Sequence, residues 1–476
     1  MDQAVLGLDL GTSGLKAALW SLTGRLVAEA EAPYPVERPR AGWAQTEPAA
    51  WRSALEQVLQ ALSPALRSQD VQAVGLAGQM HGLVLTDESG RSLGPGMVWS
   101  DQRAAGQLAR WEQLPAQQRA VLANPLAPGM TGPMLAWAAE HQPDLVQRAE
   151  RLLPPKDVLR AMLVPGAATD RSDACGTLLW DVPADQWAFE LIETLGLPAR
   201  LLPPVLDSRA VVGHTDVLAS TAGAGGGVPV VTGGADTPAA ILGNGGTGSL
   251  QVNLGSGGQV LAGAQEPSPA AEPAVHLYAD TGSSWYRMAA LQNAGLALTW
   301  VTQVLALTWE ELFAAAANTA AGANGVVFLP FLEGERGAIA PRTPLAGWFG
   351  ADGRTDRADL ARAAVEGMAF AVRRAAGLLP AETRAGNVTL TGGGTRTRLV
   401  QQLLADLFGN QVQREGVRSA SATGAAILAA EGVGLRLEPE REQEPAVAPG
   451  PGAGAVRDAY QRWTQMLERE AAARGI

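Results

Sequence analysis

Residues 8–14 read Leu8-Asp9-Leu10-Gly11-Thr12-Ser13-Gly14, and residues 252–258 read Val252-Asn253-Leu254-Gly255-Ser256-Gly257-Gly258. In each stretch an apolar strand meets a carboxylate or an amide, then Leu-Gly, a hydroxyl and a further glycine, and a second apolar segment follows. The glycines favour a tight turn with positive φ that brings backbone N–H groups close to an anion. Either copy alone would be read as an ordinary β-hairpin. The repetition predicts two phosphate-binding hairpins that face each other across a nucleotide triphosphate.

Length, composition and charge indicate a globular protein with two domains. The chain has 476 residues, more than one hydrophobic core accommodates, so we expect two domains of roughly 200–250 residues. Its 47% hydrophobic and 17% charged residues supply ample cores for both. The formal net charge of −11 argues against a nucleic-acid or anionic-membrane surface. We therefore expect a small-molecule substrate, with neither nucleic acid nor membrane as a partner.

Cysteine usage and the start of the chain bear on its location. The single cysteine, Cys175, excludes an intrachain disulfide framework, suits a reducing compartment, and is expected to be a small core residue. The start, Met1-Asp2-Gln3, has no basic signal-peptide region, and the uncharged stretch 313–332 is interrupted by Asn and Pro. We expect a cytoplasmic protein, and the sequence leaves open whether it forms a homodimer.

The order of the predicted elements indicates an α/β protein. Strands and helices alternate through Val231, and glycines and prolines cluster at 221–229 and again at 243–248. The second cluster is the preferred domain boundary because the second hairpin begins just after it. Residues 437–455 are rich in Pro, Gly, Ala and Glu and read as a linker before a last amphipathic helix. The predicted units are 1–246, 247–436, and a linker with a C-terminal helix at 437–476.

Two carboxylates are the strongest candidates for chemistry. Asp236 follows a buried strand and the pair Gly233-Gly234, which is expected to leave room for a ligand at the strand end where α/β sheets place their sites. The alternative is an N-cap for a helix that begins at Pro238. Asp9 lies in the first hairpin and can bind Mg²⁺, directly or through water, because hard cations prefer oxygen ligands. For Asp9 the alternative is a turn-capping aspartate.

Two glycine-flanked strand ends add further candidates. The run Gly392-Gly393-Gly394-Thr395 follows a strand and precedes a helix, an arrangement that a nucleotide can approach closely, although it lacks the Walker spacing and its lysine. His81 lies in Gly78-Gln79-Met80-His81-Gly82, where it is either a structural histidine or a hydrogen-bonding partner of a substrate. No Cys/His spacing supports a structural zinc site.

At these residues the sequence resembles the FGGY carbohydrate kinases of the actin and hexokinase superfamily, over nearly the whole chain. The two hairpins resemble the family's phosphate motifs, Gly234-Ala235-Asp236 its catalytic segment and Gly392-Gly393-Gly394 its adenosine motif. The segment Gln79-Met80-His81-Gly82 is the most specific element and is typical of the xylulokinase branch of the family. Further segments that resemble the family are 99–103, 155–157, 172–176, 334–336 and 347–350.

The resemblance implies two ribonuclease-H-like domains of the actin and hexokinase type around a catalytic cleft, with sugar bound mainly by the first and nucleotide mainly by the second. It implies ATP-dependent phosphorylation of a pentulose, foremost D-xylulose to its 5-phosphate, with ATP and Mg²⁺ as cofactors. Asp236 would be the general base, and the metal would lie near Asp9 and Asp236. The implied sugar contacts are Gln79, Met80, His81, Trp99, Asp101, Asp236 and Thr237, and the implied ATP contacts are Gly11, Thr12, Ser13, Gly255, Ser256, Gly257, Gly392, Gly393, Gly394 and Thr397.

Two departures from the family pattern concern the choice of sugar. Met134 stands where the family usually has lysine, and Thr237 stands where related xylulokinases often have asparagine. The alternatives are therefore an FGGY kinase for another ketose or a polyol, or a sugar-sensing ATPase that transfers weakly.

Overall fold

The computed structural model of the chain describes residues 1–246, 248, 250–335 and 338–475. The first half is built on a seven-stranded sheet whose middle is the strand Asp2–Leu10. That strand pairs antiparallel with Gly14–Ser21, which pairs with Leu26–Pro33, and it pairs parallel with Gln69–Gly78 on its other side. The remaining strands of this sheet are Val211–Thr215, Val228–Val231 and Gly234–Ala235.

A second seven-stranded sheet repeats this plan in the second half of the chain. The strand Leu250–Leu254 pairs antiparallel with Gly258–Ala264 and parallel with Val388–Thr391, as its counterparts do in the first sheet. The other strands of this sheet are His276–Ala279, Trp285–Leu291, Val412–Gly416 and Glu442–Gln443. Two strand-hairpin-strand units of the same design therefore lie in one chain, and the predicted α/β class is confirmed.

Helices cover the sheets because their apolar residues recur at helical spacing. Trp51, Leu55 and Leu62 of the helix Pro48–Ser68 are buried against the first sheet, and Leu403 and Leu407 of Arg398–Phe408 are buried in the second half. The other helices of the first half are Leu108–Glu112, Ala116–Ala120, Thr131–His141, Pro143–Arg148, Pro155–Leu163, Arg171–Cys175, Phe189–Thr194, Val217–Ala222 and Asp236–Gly243. Those of the second half are Gly295–Val304, Trp309–Asn318, Arg357–Gly377, Ala420–Gly432 and Ala453–Ala473.

Short two-stranded ribbons complete the structure. They pair Gln45–Thr46 with Gly96–Met97, Val84–Thr86 with Arg151–Leu153, Thr169–Asp170 with Val205–Leu206, Trp180–Asp181 with Gln186–Trp187, and Val327–Phe331 with Leu345–Phe349. Within the described ranges, no helix combines the length and apolar character needed to cross a bilayer.

The two halves meet where the helix Ala420–Gly432 packs on the first sheet and on the helix Asp236–Gly243. A Cβ atom on Gly424 would lie 1.8 Å from the carbonyl oxygen of Ala239, and one on Gly7 would lie 1.8 Å from that of Ala422. Backbone therefore contacts backbone at this crossing, and a side chain at either glycine would push the elements apart. The start of the helix Asp236–Gly243 also contacts the second sheet, where Gln259 Nε2 donates to Thr237 Oγ1 at 3.4 Å.

A second contact between the halves buries the only cysteine. The thiol of Cys175 lies 3.9 Å from the carbonyl oxygen of Leu277 on a strand of the second sheet. Burial raises the pKa of this thiol to about 12, so it is a structural core residue, as its sequence context predicts.

The region after residue 436 differs in part from its predicted form. Glu442–Gln443 forms a strand at the edge of the second sheet, where a simple linker is predicted from composition. The last helix packs on the body, with Trp463 fully buried and its Nε1 donating to the carbonyl oxygen of Phe328 at 2.9 Å. The proposed boundary between 246 and 247 falls at Thr247, outside the described residues, and the three predicted units stay a prediction.

Candidate active site

Asp9 and Asp236, called here the acidic pair, lie at one edge of the first sheet. Asp9 is next to last in its strand, and Asp236 begins the helix that follows Gly234–Ala235. Both strands pair parallel with Gln69–Gly78, where Gly78 lies between Leu10 and Ala235. The carboxyl ends of parallel strands meet at the same edge of a sheet, which brings the two carboxylates together although 226 residues separate them.

Both carboxyl groups are harder to ionise than an ordinary aspartate. The pKa of Asp9 is raised to about 7, first by desolvation and then by the charge of Asp236, while Lys16 acts in the opposite direction. The pKa of Asp236 is raised to about 6 by desolvation, against hydrogen bonds from Thr237 that lower it. Perturbed carboxylates with a like charge nearby are typical of catalytic and metal sites.

The local contacts of the acidic pair bear on the alternatives that the sequence left open. Ala235, not Asp236, is the N-cap residue, and Asp236 Oδ1 accepts from the backbone N–H of the adjacent Thr237 at 2.6 Å. Asp9 Oδ1 is buried, and no described residue donates a hydrogen bond to it, so this oxygen does not cap the turn.

The acidic pair suits a hard cation. A buried carboxylate oxygen with no donor among the described residues is an open ligand position. No group of three or more His, Cys, Asp or Glu within the described ranges could hold a metal by itself. Mg²⁺ fits two such carboxylates because it binds through one or two of them and takes its other oxygens from waters and phosphates.

Side chains from the sugar-side segments anchor the tip of the first hairpin. The carbonyl oxygen of Gly11 accepts from the hydroxyl of Tyr34 and from Gln79 Nε2, the latter at 3.4 Å. Trp99 Nε1 donates to Thr12 Oγ1 at 2.7 Å. Gln79 and Trp99 thus contact the first hairpin itself, and a displacement of either side chain would move the tip.

Backbone from its own domain anchors the tip of the second hairpin. The first N–H groups of the helix Gly295–Val304 donate to this tip, from Gly295 to Gly255 O at 3.1 Å and from Leu296 to Ser256 O at 2.8 Å. Gly255 and Ser256 themselves are exposed to solvent. The helix therefore supports the tip on one side, and the other side of the tip is exposed to solvent.

A chain of polar side chains joins the second hairpin to the acidic pair. Asn253 Nδ2 donates to Gln259 Oε1 at 3.2 Å, and Gln259 Nε2 donates to Thr237 Oγ1 at 3.4 Å. Thr237 in turn donates its backbone N–H to Asp236. The chain crosses from the second half of the protein to the first beside the catalytic candidate.

A cavity of about 490 Å³ opens on this chain and is called here the nucleotide-side cavity. Asp9, Thr237, Asn253 and Gln259 line one part of it, and Gly392 and Gly393 line another. Its cationic lining residues are Lys16, Arg396, Arg414 and Arg418. Cationic side chains strengthen the binding of a polyanion by backbone amides, and the sequence prediction missed these four.

A second cavity, of about 330 Å³ and called here the sugar-side cavity, lies between the halves. Its walls include His81 and Trp99 from the first half, and His276, Gln292 and Arg342 from the second. His81 has φ of 75°, which is unusual for a residue other than glycine, and its Nδ1 lies 2.7 Å from the carbonyl oxygen of Gly176. A carbonyl oxygen can only accept a hydrogen bond, so Nδ1 of His81 carries a proton.

Three other predicted sugar contacts have partners within the protein. Met80 is buried, and the hydroxyl of Tyr286 lies 3.9 Å from its sulfur. Asp101 is fully buried and accepts from the backbone N–H of Ala44 at 2.6 Å and from Arg103 Nε at 2.8 Å. Thr237 shares its hydroxyl with Gln259, as described above. Met134, which replaces the family's lysine, is fully buried in a hydrophobic cluster to which both halves contribute.

The glycine-rich segments work differently from the sequence prediction. Gly11, Gly255 and Gly257 do not adopt positive φ; a Cβ on Gly257 would lie 2.8 Å from the carbonyl oxygen of Leu291, so close packing is what requires glycine there. Gly233 and Gly234 make room for Leu76 and Thr281, not for a ligand.

In the third segment, Gly392 has φ of 82° and packs on Leu254, whereas a Cβ on Gly393 would meet nothing within 4 Å. A Cβ on Gly394 would lie 2.9 Å from Leu254 Cβ, and Thr397 is the N-cap of the helix Arg398–Phe408. Gly393 is therefore the glycine of this run that faces open space.

The missed residues differ in how far the sequence could have disclosed them. Lys16 lies directly opposite Asp9, and Gln259 lies opposite Asn253, in the antiparallel registers. Pairing each hairpin about its tip would have found both. Arg396 and Arg414 come from a loop and from another strand, and no local pattern marks them.

Comparisons with known proteins agree with this architecture. Residues 4–243 match the N-terminal domain model of the FGGY family of carbohydrate kinases, and residues 250–432 match its C-terminal domain model. The xylulose kinase of Escherichia coli strain K12 is 33% identical over 435 residues, which cover 89% of this chain and 89% of that protein.

Solved structures extend the likeness. A xyloylose kinase from Brucella ovis superposes with a TM-score of 0.88 at 30% identity, over 99% of this chain and 100% of that one. A gluconate kinase from Lactobacillus acidophilus has a TM-score of 0.91 at 22% identity, over 100% of this chain and 99% of that one, and shares the fold. With both halves matched, the chain belongs to the FGGY family of carbohydrate kinases.

Proposed function

We propose that this FGGY kinase transfers the γ-phosphoryl group of ATP to the 5-hydroxyl of D-xylulose, with Asp236 as general base. The observation that carries the proposal is the acidic pair: two desolvated carboxylates lie at one sheet edge, beside the nucleotide-side cavity and next to the segments that reach the sugar-side cavity. The names of the relatives, at about a third identity over most of the chain, support xylulose as the sugar.

The transfer needs one proton acceptor and a site for a migrating negative charge. Asp236 takes the proton of the sugar 5-hydroxyl. The sugar oxygen forms the bond to the γ-phosphorus as the bond between that phosphorus and the leaving ADP oxygen breaks. A pKa of about 6 leaves this carboxylate ionised at neutral pH yet basic enough to accept a proton. The hydrogen bond from the Thr237 N–H to Oδ1 orients the carboxylate.

Asp9 and the nucleotide-side cavity bind and orient the triphosphate. The open Oδ1 of Asp9 would hold Mg²⁺, which, when bound, neutralises charge shared by the β- and γ-phosphates. Lys16, the two hairpin tips and the cavity arginines supply the remaining contacts to phosphate, and Gly393 lets the nucleotide approach the backbone. Water is excluded as a competing acceptor when the two halves close on the ligands.

The sugar lies on the His81 side of the acidic pair. His81 hydrogen-bonds a sugar hydroxyl, and the bond from its Nδ1 to the carbonyl oxygen of Gly176 fixes the orientation of the ring. The strained φ of His81 supports this role, since such backbone strain clusters at ligand sites. A site built on a hydroxyl rejects analogues that lack it.

An ADP-release assay over pentuloses, hexuloses, polyols and gluconate tests the proposal. We expect the highest kcat/KM for D-xylulose, and we expect Asp236→Asn to bind ATP and sugar but to lower turnover by roughly 10²–10⁴. His81→Ala should lower kcat/KM for D-xylulose by roughly tenfold to a hundredfold and narrow its lead over other ketoses. Sugar-free ATP hydrolysis should change much less.

His214→Ala is the matched control, since it removes an exposed imidazole from an edge strand of the first sheet. A polyol or another ketose with a higher kcat/KM would reassign the substrate. Retention of more than about a third of wild-type turnover in Asp236→Asn, with chemistry rate-limiting, would remove the base role.

A further inference from the structure

A buried ionic cluster is hydrogen-bonded to the catalytic segment. Lys156 is fully buried, and its Nζ lies 3.1 Å from Asp157 Oδ1, 3.0 Å from Asp170 Oδ1 and 3.2 Å from Asp173 Oδ2. Arg160 adds a second cation, with Nε 3.5 Å from Asp157 Oδ1. Burial raises the pKa of Asp157 and of Asp173 above the ordinary aspartate value. Burying five ionisable side chains is costly even when they are paired, so the cluster calls for a function beyond stability.

Two hydrogen-bond routes connect this cluster to the segment that ends at Asp236. Lys156 Nζ donates directly to the carbonyl oxygen of Thr232 at 3.3 Å. On the second route, Asp170 Oδ2 accepts from Ser172 Oγ at 2.5 Å, and Ser172 Oγ accepts from the backbone N–H of Ala235 at 2.9 Å. Both ends of the segment 232–235 are therefore tied to one ammonium group, and Asp236 is the next residue.

The protonation states fit the direction of these bonds. Burial alone would raise the pKa of Asp170, but Lys156 and Ser172 outweigh it, and the pKa lies below its usual value. Asp170 is thus an acceptor, the hydroxyl proton of Ser172 points to it, and a lone pair of Ser172 Oγ points to Ala235 N–H. Each member of the route has one orientation only.

We propose that Lys156, Asp170 and Ser172 are positioning residues that set the location of the Asp236 carboxylate against the sugar hydroxyl. The inference rests on the proposed function, in which Asp236 is the general base. None of the three touches substrate. They act through the backbone of Thr232 and Ala235, and a shift of the base by a fraction of an ångström reduces the rate of the chemical step more than it weakens binding.

Ser172→Ala tests this role with the smallest change, because it removes the acceptor for Ala235 N–H and leaves every charge of the cluster in place. Ser208→Ala is the matched control: Ser208 Oγ also donates to Asp170 Oδ2, at 3.1 Å, but makes no bond to Ala235. Both hydroxyls are buried, so both variants lose one donor to the same carboxylate oxygen. Of the two hydroxyls, only that of Ser172 accepts from the catalytic segment. Ser208 contacts this segment through its backbone carbonyl oxygen, which accepts from the Gly233 N–H at 2.9 Å and is retained in the alanine variant.

For Ser172→Ala we expect kcat to fall by roughly tenfold to a hundredfold, with KM for ATP and for D-xylulose within about threefold of wild type. Ser208→Ala should retain kcat within about twofold. Adding Ser172→Ala to Asp236→Asn should lower kcat little further. The asparagine cannot act as a base, so its position no longer affects the rate of proton transfer.

Three results would overturn the proposal. They are a kcat for Ser172→Ala within twofold of wild type, equal losses in Ser172→Ala and Ser208→Ala, and a full additional loss in the double variant. A Ser172→Ala protein that does not fold while Ser208→Ala folds would assign the hydroxyl to stability instead. If Asp236→Asn itself remained active, the proposed function would fail first, and the single-variant comparison would still report on Ser172.

Discussion

The two phosphate hairpins have the same backbone plan but carry different side chains across their strands. In the first, Asp9 lies opposite Lys16; in the second, Asn253 lies opposite Gln259. A charged pair thus faces the cleft from one half, and a pair of neutral amides faces it from the other. The amides bond to each other and to Thr237, whereas Asp9 Oδ1 has no donor among the described residues.

The two tips also differ in the groups that support them. Side chains of Tyr34, Gln79 and Trp99 contact the first tip, and Trp99 also lines the sugar-side cavity. The N-terminus of the helix Gly295–Val304 supports the second tip with backbone alone. Under the proposed function, the first hairpin would hold the metal and be sensitive to contacts on the sugar side, and the second would contact phosphate through neutral groups.

The largest expected effect comes from removing the charge of the first hairpin. Asp9→Asn should lower kcat by roughly 10²–10³ at saturating Mg²⁺ and ATP, because the variant lacks the carboxylate that would hold Mg²⁺ against the phosphate charge in the transition state. Asn253→Ala, at the equivalent position of the second hairpin, should cost less than about tenfold, as expected for one neutral hydrogen bond. Steady-state kinetics of both variants check the contrast, and equal losses would abolish the division between the hairpins.

A smaller effect should follow from adding one methyl group to each tip. A Cβ on Gly255 would have only Gly257 O nearby, at 3.9 Å, and one on Gly11 would lie 3.2 Å from Gly14 O, so both alanine variants should fold. Gly255→Ala should raise KM for ATP by roughly tenfold and leave KM for the sugar unchanged, because the methyl group blocks one backbone contact to phosphate.

Gly11→Ala should raise both constants, since the first tip is bonded to Trp99 and Gln79. Initial-rate measurements with each substrate varied in turn distinguish the two patterns. A Gly255→Ala enzyme with unchanged KM for ATP would take the second tip out of the site. Gly257 is unsuitable for this test, because its Cβ would collide with Leu291 O and affect folding.

The smallest effect concerns stability without ligands. The pKa of Asp9 is raised to about 7, so its contribution to folding is fully favourable below the ordinary aspartate pKa and is lost as the pH rises through about 7. Ligand-free Asp9→Asn should therefore have a higher Tm than wild type at pH 8 and no higher Tm near pH 4. The expected difference at pH 8 is about 2–4 °C for each kcal/mol that the ionised, buried carboxylate costs the wild-type fold. Asn253→Asp should do the reverse at pH 8.

Thermal scans at the two pH values, without Mg²⁺ or nucleotide, give the comparison. An Asp9→Asn protein that melts lower than wild type at pH 8 would mean that the carboxylate has a stabilising partner after all. Mg²⁺ with ATP should reverse the order, since only wild type retains the open ligand oxygen.

Patterns local in the chain were the ones that sequence reasoning could use. The repeated hairpin predicted a duplicated α/β design, and the two sheets confirm it because an apolar strand, a tight turn and a second strand form the same local structure wherever they occur. The same holds for the last helix, whose Trp463 is buried as its spacing predicts. The composition of 437–455 hid the strand Glu442–Gln443, since an edge strand of two residues leaves almost no periodic signal.

The site was less accessible because most of its contacts are long-range. Asp9, Asp236 and His81 could be singled out from neighbouring glycines and strand ends, and their roles remain predictions. No spacing along the chain discloses that Lys156 is bonded to Thr232, or that Gln259 reaches Thr237 from the other half. Glycines were misread for a related reason: whether a missing Cβ makes room for a ligand or for Leu76 depends on which strand lies next to it.

The buried thiol of Cys175 allows the opening of the wild-type protein to be followed by its rate of alkylation. Because that sulfur lies against Leu277 of the opposite half and its pKa is raised to about 12, an alkylating reagent has to wait until the halves part or the core loosens. The rate of alkylation therefore reports how often the structure around Cys175 opens, and no engineered label is needed. A second cysteine placed anywhere on the surface would react far sooner, so a single dye could be attached there while the native thiol stays silent.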